Sequence, residues 1–354
     1  MNRTVAAVAA TAGIFLTVQL GALALVQPFM DAGYQTVEDP SDPTNSLFYI
    51  GAILVATLVM LAAMKYGVDR FLQGLIVFAA VFLSFYVFTV VVPPIFTLAG
   101  LNVLAVGLAL ALGVGLLVYP EWYVIDAAGI VMGAGAAGLF GISFGLLPAI
   151  VLLVVLAVYD AISVYGTEHM LTLASGVMDL RLPVVLVIPL TLSYSFLEET
   201  GPETLEGDPA DGEPSNGAES TDSSGQDVEA EGDGNETAEA ELEDDEPEGP
   251  FERDAFFIGL GDAVIPAILV ASAAFFRPGD PALLDVPGIA LTLPALGAMV
   301  GTIAGLLALM WMVMRGRAHA GLPLLNGGAI AGYLIGAALA GIALVDAVGL
   351  TPYL

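Results

Sequence analysis

Long apolar stretches alternate with short polar or proline-containing segments along almost the whole chain. Each stretch holds about 20 residues, the length that carries a helix across the hydrocarbon core of a bilayer. The pattern therefore predicts an all-α membrane protein, a polytopic bundle of nine transmembrane helices. The predicted spans are Val5–Phe29, Leu47–Tyr66, Phe71–Val92, Phe96–Tyr119, Trp122–Leu147, Pro148–Gly166, Ala255–Phe276, Val286–Met314 and Leu322–Val345.

The stretch between the sixth and seventh spans departs from this pattern. The β-branched segment Arg181–Pro189 is bracketed by prolines, which predicts a short edge strand. Residues 198–252 are rich in Glu, Asp, Gly, Ser and Pro and hold too few apolar side chains to order themselves, so we predict disorder. Four parts result: 1–147 with five helices, 148–197 with the sixth helix and the strand-like extension, the acidic loop 198–252, and 253–354 with three helices.

The composition agrees with a membrane protein and excludes several kinds of chemistry. Of 354 residues, 57% are apolar and only 13% are charged, whereas soluble domains carry about 25% charged residues. Cysteine is absent and the only histidines are His169 and His319. Disulfide frameworks, thiolate metal sites and most histidine metal sites are therefore excluded, and we expect no metal and no cofactor.

Most of the formal net charge of −29 lies in one loop, because residues 198–252 hold 22 acidic residues and no basic one. The remainder has 15 acidic and 8 basic residues, a net charge of −7. This acidic character argues against a nucleic-acid partner. Seven arginines to one lysine, with abundant acid, also suit a salt-rich cytosol in which salt screens the repulsion, so we expect a halophilic source.

The basic residues between the spans predict the orientation in the cell membrane. Only Arg277 falls on the side opposite to the N-terminus, which places the N-terminus and the acidic loop in the cytoplasm and the C-terminus outside. The first apolar stretch is longer than a signal-peptide core, which favours a retained helix over cleavage near residues 22–24. The seven residues on the N-terminal side are Arg3, Lys65, Arg70, Arg181, Arg253, Arg315 and Arg317.

Four acidic residues fall inside the predicted spans or directly at their ends, where an ionisable side chain is costly and marks a functional candidate. Asp126 and Asp346 lie near span ends, which indicates shallow solvated, capping or interfacial acids. Asp160 lies about six residues before the cytoplasmic end of the sixth span, and Asp262 about eight residues into the seventh span from the same side. At 1.5 Å per residue the depths are roughly 9 and 12 Å, so both carboxylates lie at nearly one level.

Two carboxylates at one level suit aspartic-protease chemistry. Like charges a few ångströms apart cannot both ionise easily, so such a pair tends to share one proton. The ionised member then accepts a proton from water, while the protonated member donates to the substrate carbonyl oxygen. Two separately satisfied structural acids, or a proton-relay pair, remain as alternatives at this point.

The residues around the two acids resemble the signatures of a known family. Tyr159-Asp160 and Gly259-Leu260-Gly261-Asp262 resemble the YD and GxGD signatures of presenilin and signal peptide peptidase, which are nine-span intramembrane aspartyl proteases. Pro323-Leu324-Leu325, at the start of the ninth span, is similar to the third signature, Pro-Ala-Leu, with Leu in place of Ala. A literal Pro294-Ala295-Leu296 lies near the other end of the eighth span, away from the acids.

This resemblance implies an archaeal-type presenilin homologue in which Asp160 and Asp262 activate water to hydrolyse peptide bonds of transmembrane helices. The substrates would be single-span proteins or signal-peptide-like helices within the lipid bilayer, and an oligomer is possible but not implied. Gly259 and Gly261 would leave room for a substrate backbone or a partner helix, and Tyr159 would donate a hydrogen bond or pack. The segment Arg181–Pro189 is a candidate to bind the unwound substrate by strand addition.

Other interpretations of the sequence carry less weight. A proton- or cation-coupled transporter would use the same two aspartates but predicts an inverted repeat, and the first four spans hold no matching motif. A catalytically silent scaffold gives no reason for two costly acids at one level. The Gly141–Gly145 match to GxSxG places Ser143 far from both histidines, so we interpret it, like Gly297/Gly301/Gly305 and Gly328/Gly332/Gly336, as helix packing.

Overall fold

A computed structural model describes residues 3–167, 185–190, 194–195, 255–277, 283–284, 286, 288–315 and 320–353. The acidic loop 198–252 lies outside these residues, as do His169 and His319, so the prediction of disorder stays a prediction. The helices are α1 (Arg3–Asp31), α2 (Thr44–Lys65), α3 (Asp69–Val91), α4 (Val103–Val118), α5 (Trp122–Ser143), α6 (Leu146–Ile162), α7 (Leu260–Phe276), α8 (Leu293–Val313), α9 (Gly321–Leu339) and α10 (Leu344–Val348).

Three two-stranded antiparallel sheets accompany the described helices. The hairpin of β1 (Thr97–Leu98) and β2 (Leu101–Asn102) precedes α4, and that of β5 (Leu283–Leu284) and β6 (Leu291–Thr292) precedes α8. The third sheet joins β3 (Val185–Pro189) to β4 (Ala255–Gly259), which are far apart in the chain. A single π-helical turn, Ser163–Thr167, extends α6.

The prediction of an all-α, multi-pass membrane protein is confirmed. Among the described residues, seven helices are long and apolar enough to cross a membrane: α1, α2, α3, α5, α6, α8 and α9. Two shorter apolar helices, α4 and α7, occupy the predicted fourth and seventh spans. The count of nine crossings and the orientation in the membrane stay predictions.

Several predicted span boundaries were wrong, for local reasons. The fourth span does not begin at Phe96, because Ala99 and Gly100 adopt positive φ angles in a hairpin turn before α4. The seventh span does not begin as a helix at Ala255, because the aromatic and β-branched residues Phe256–Ile258 pair as strand β4. The fifth and sixth spans separate at Phe144-Gly145, where the extended backbone ends α5.

The last two spans were also shorter than predicted. Helix α8 begins at Leu293 rather than at Val286, because the Thr292 hydroxyl caps it by accepting from the Ala295 N–H at 3.3 Å. Helix α9 ends at Leu339, and the chain turns through Gly341 into α10. These ends are set by capping and turn residues that a search for apolar runs does not weigh.

Helix α5 lies at the centre of the bundle, where it packs against α1, α3, α7 and the β3 strand. Small residues make this possible: a Cβ on Gly138 would lie 3.1 Å from Phe29 of α1, and one on Gly133 would lie 3.1 Å from Val264 of α7. Ser143 is buried and accepts hydrogen bonds from the backbone and hydroxyl of Thr36, at 3.2 and 3.0 Å. A Cβ on Gly141 would overlap Ala271 of α7, which confirms the helix-packing interpretation for Gly141, whereas Gly145 lies against Pro40 in the segment between α1 and α2.

The two glycine stripes face each other across α8 and α9. A Cβ on Gly301 would overlap the carbonyl oxygen of Gly328, and one on Gly297 would overlap that of Gly332. At the next position along α8, Gly305 meets the Leu324 carbonyl oxygen in the same way. Because no side chain separates the two backbones, α8 fixes the position of the first turns of α9 along the helix axis. The predicted contact between the two glycine stripes is confirmed.

We expect Gly301→Ala to destabilise the bundle, because the added methyl group has no space between α8 and α9. Overpacking of this kind costs about 1–3 kcal/mol. Gly107→Ala on α4 is the matched control, since nothing lies within 4 Å of its Cβ position and alanine favours a helix. Thermal unfolding in detergent should show a lower midpoint for Gly301→Ala alone, and equal midpoints for both variants would contradict the close contact.

Candidate active site

The ends of three helices meet around the two candidate acids. Asp160 is the third residue from the end of α6, and Asp262 is the third residue of α7. Leu322 is the second residue of α9, whose start adjoins both of them. The predicted similarity of level is therefore present: Asp262 lies in the first turn of α7, and Asp160 lies in the last turn of α6, which the π-helical turn Ser163–Thr167 continues.

Asp160 is buried, with 5% of its surface exposed, and accepts hydrogen bonds from the start of α9. The Leu322 N–H donates to its Oδ2 atom at 3.0 Å, and the Gly321 N–H also points to this carboxyl group. The first N–H groups of a helix have no partner within the helix and carry partial positive charge, so they stabilise an anion. Asp160 thus caps a helix to which it does not belong.

Asp262 lies on the other side of the same turn. A Cβ on Gly321 would lie 3.3 Å from Oδ2 of Asp262, and one on Gly259 would lie 3.6 Å from that atom. Asp262 as a whole residue is partly exposed, and its carboxyl group is close enough to Asp160 for the two charges to interact. Gly321 therefore adjoins both acids. Its N–H points to Asp160, and Asp262 lies beside the space that a side chain at residue 321 would fill.

Two prolines shape the backbone near the acids. Pro323 is the third residue of α9, where a missing N–H breaks no helical hydrogen bond, so it lies in the first turn of the helix without kinking it. Pro266 lies inside α7, four residues after Asp262. Proline has no N–H to donate to the carbonyl of residue 262, so this carbonyl lacks its usual helical partner beside the candidate site.

The β3–β4 sheet leads directly into the Gly259–Asp262 segment. Val185 lies opposite Gly259, and Val187 lies opposite Phe257. The Val187 N–H donates to Oδ1 of Asp126 at 2.8 Å, and Pro189 has no N–H, so residues 185, 187 and 189 direct their backbone groups away from β4. The strand prediction for Arg181–Pro189 is confirmed for residues 185–189, and residues 181–184 lie outside the described part.

The other acids and the motif residues have distinct environments. Asp126 is 7% exposed and holds a strand, so the expectation of a shallow solvated acid was wrong. Asp346 is partly exposed at the start of α10, where it accepts from the Thr351 hydroxyl, in agreement with an interfacial acid. Tyr159 is 38% exposed. The Leu260 side chain packs against α5, 3.3 Å from the Cβ position of Gly133.

The Pro323-Leu324-Leu325 segment forms the first turn of α9 beside the acids. Leu325 is fully buried, whereas Pro323 and Leu324 are partly exposed. Pro294 is the second residue of α8, and the Cα atom of Pro294 lies 2.9 Å from the Cβ position of Gly336. Gly336 is fifteen residues along α9 from Gly321, about 22 Å at helical rise, so rejecting the literal Pro294-Ala295-Leu296 match was correct.

Two residues of the site were missed by sequence reasoning. One is Gly321, whose only signal was a glycine two residues before the predicted Pro323 motif. The other is Tyr165 in the π-helical turn, whose hydroxyl oxygen accepts from the Ala320 N–H at 3.3 Å. Within the described ranges, no group of three or more His, Cys, Asp or Glu side chains could hold a metal ion.

Comparison with known proteins gives one family. Residues 12–342 match the family model described as signal-peptide peptidase, presenilin aspartyl protease. A solved structure of a presenilin family intramembrane aspartate protease in a C222 crystal form is 32% identical, with a TM-score of 0.59, and the match covers 94% of this chain and 99% of that one. A second such structure, in a P2 form, is 31% identical with a TM-score of 0.56, covering 93% and 96%. The comparison with curated protein sequences gave no match.

We expect a cross-link between Asp160→Cys and Asp262→Cys in a doubly substituted protein, because both positions adjoin Gly321. The chain has no cysteine of its own, so any product is specific. Asp160→Cys with Ser272→Cys is the control, because residue 272 lies ten residues further along α7, about 15 Å away. Oxidation or a short bifunctional reagent, read by protection from a second thiol label, should join the first pair only; equal reaction of both pairs would contradict the convergence.

Proposed function

The chain belongs to the family of signal peptide peptidases and presenilin aspartyl proteases and is an intramembrane aspartyl protease, and we propose that Asp160 and Asp262 are its catalytic pair, of the GxGD type. One observation carries this proposal: both carboxyl groups adjoin Gly321 at the start of α9. The matched family and the solved structures are proteases, so the alternative of an ion-coupled transporter has no support.

The proposed reaction uses water and one shared proton. The ionised carboxylate of the pair accepts a proton from water as the water oxygen attacks the substrate carbonyl carbon. The protonated carboxyl group donates its proton to the carbonyl oxygen, which gives a tetrahedral diol. Collapse of the diol breaks the C–N bond: the amine nitrogen takes a proton from the pair, and one diol hydroxyl returns its proton to the pair as the carboxylic acid forms. The proton positions belong to the pair as a unit, so we assign no separate acid and base.

The residues around the pair have supporting roles in this proposal. The Gly321 and Leu322 N–H groups stabilise negative charge on Asp160. The absence of side chains at Gly259, Gly261 and Gly321 leaves the approach to Asp262 open for a substrate backbone. Leu260 attaches the segment to α5, and Pro323-Leu324-Leu325 holds the start of α9 in place. Tyr159 is exposed enough to contact a substrate.

The substrates in this proposal are transmembrane helices, which must unwind before a peptide bond reaches the acids. The outward Val187 N–H of β3 is bound by Asp126 and cannot pair with a substrate strand. We therefore propose β4, rather than the expected β3, as the strand to which the substrate adds. Gly259, the exposed last residue of β4, directs its backbone groups to the edge away from β3. A strand added there would lie beside Gly259, next to Asp262.

Asp160→Asn and Asp262→Asn should each abolish cleavage of a single-span reporter substrate. Loss of general acid–base catalysis alone corresponds to about 100-fold or more, and an inhibitor of the transition-state type should block the wild-type protein. Asp346→Asn is the control, since this acid lies at the far end of the bundle. The measurement is product formation by purified protein in detergent at high salt.

Unchanged cleavage by either catalytic-pair variant would refute the assignment of that aspartate. Absence of cleavage by the wild-type protein over several transmembrane substrates would refute transmembrane helices as the substrate class.

Gly259→Pro should slow cleavage more than Gly259→Ala if β4 binds the substrate as a strand. The φ angle of Gly259 is −58°, which proline adopts without strain, and the lost N–H points away from β3. Gly259→Ala adds a similar first side-chain atom but keeps the N–H. The ratio of the two kcat/KM values isolates the hydrogen bond from the Gly259 N–H to the substrate. Equal values would contradict strand addition at Gly259.

A further inference from the structure

We propose that Asp126, on α5, is a positioning residue for proteolysis: it holds strand β3, and through β3 and β4 it sets the place of Asp262. This inference rests on the proposed function of Asp160 and Asp262. Asp126 touches neither of them in any described contact; its Oδ1 atom accepts the Val187 N–H at 2.8 Å. Its role is therefore distinct from that of the catalytic pair.

An acid at this position needs an explanation beyond packing. Asp126 is 7% exposed, on the helix whose residues are the most buried of the candidate spans. A carboxyl group without a partner in such surroundings would cost several kcal/mol. Its partner is the outward-facing Val187 N–H of β3. No strand of the described sheet pairs with this N–H, because β4 lies along the opposite edge of β3.

The surface of α5 around Asp126 is shaped to receive the sheet. One turn further along α5, a Cβ on Gly129 would lie 3.1 Å from the Leu186 side chain and 3.6 Å from that of Leu260. Glu121, one turn before Asp126, accepts from the Ser195 hydroxyl at 2.6 Å. The segment that contains β3 is thus attached to α5 by polar contacts at both Glu121 and Asp126, with an apolar contact between β3 and Gly129.

The path from Asp126 to Asp262 is short and consists of paired backbone. Val187 is flanked by Leu186 and Ile188, which pair with Ile258 and Phe256 of β4. Strand β4 ends at Gly259, and three residues later Asp262 stands in the first turn of α7. If β3 leaves α5, β4 loses its support, and the start of α7 is no longer held against Gly321. Cleavage should then fall although every residue of the catalytic pair is present.

The test uses the full-length protein in detergent with three variants. Asp126→Leu keeps the branching at Cγ but removes the acceptor, whereas Asp126→Asn keeps both the size and an acceptor oxygen and removes the charge. Ser272→Ala is the matched control, because it deletes another buried bond of a side chain to a distant backbone group, to the Phe144 carbonyl oxygen at 2.8 Å. The readouts are kcat and KM on the reporter, amide exchange of the peptide that covers residues 185–190, and the melting temperature.

We expect Asp126→Leu to lower kcat at least tenfold and to expose residues 185–190 to exchange. Asp126→Asn should restore both properties to within about threefold of the wild-type protein. Ser272→Ala should lower the melting temperature and leave exchange at 185–190 unchanged. Val187→Pro deletes the same bond from the donor side, at a position that makes no bond to β4, and should not lower kcat further when combined with Asp126→Leu.

Three results would overturn the proposal. The first is full cleavage by Asp126→Leu, whether or not residues 185–190 exchange faster. The second is loss of cleavage in Asp126→Asn while residues 185–190 stay protected, which would indicate a titrating role. The third is protection of residues 185–190 in Asp126→Leu. Failure of the catalytic-pair proposal would be seen separately, as unchanged cleavage by Asp160→Asn or Asp262→Asn, while the exchange measurement still reports on the contact of β3 with Asp126.

Discussion

The site depends on the supply of hydrogen-bond donors to carboxyl groups that are far from bulk water. In a bilayer, backbone groups inside helices are already paired, so the only unpaired backbone N–H groups are those at helix starts or outward strand edges. This protein uses both sources. Asp160 takes the N–H groups at the start of α9, and Asp126 takes one from the edge of β3. The acids therefore lie where regular structure begins or is left unpaired.

The accuracy of this arrangement comes from the close backbone contact between α8 and α9. The N–H groups at a helix start can donate to a carboxylate only if the position of the helix along its own axis is fixed to within a fraction of a turn. Contact between Gly305 and the Leu324 carbonyl oxygen fixes it one turn away from Gly321, and the glycine pairs further along prevent rotation of α9 about its axis. Asn326 adds a polar contact with α6, donating to the Leu153 carbonyl oxygen at 2.9 Å.

The sequence allowed prediction of the helical membrane fold, the similar level of Asp160 and Asp262, the glycine contacts and the strand at 185–189. It did not reveal that Ala255–Gly259 is a strand, because a β-pair depends on a partner at least 66 positions away in the sequence. Asp126 was misjudged because distance from a span end says nothing about which backbone group lies opposite. Gly321 was missed because its two roles, an N–H that points to Asp160 and the absence of a side chain beside Asp262, give no recognisable pattern in a sequence.

The pairing of β3 with β4 also has a consequence for the length of the segment that joins them. Closing a flexible loop costs conformational entropy that grows only with the logarithm of loop length. If residues 198–252 are disordered as predicted, doubling the 65 residues between Pro189 and Ala255 would therefore cost about 0.6 kcal/mol. Insertions, deletions and changes of charge in residues 198–252, which exclude the Ser195 contact with α5, would then be nearly free of thermodynamic cost to the sheet. Natural variation can accumulate there and adapt the polar part of the chain to its solvent, while the buried strands on either side keep their register.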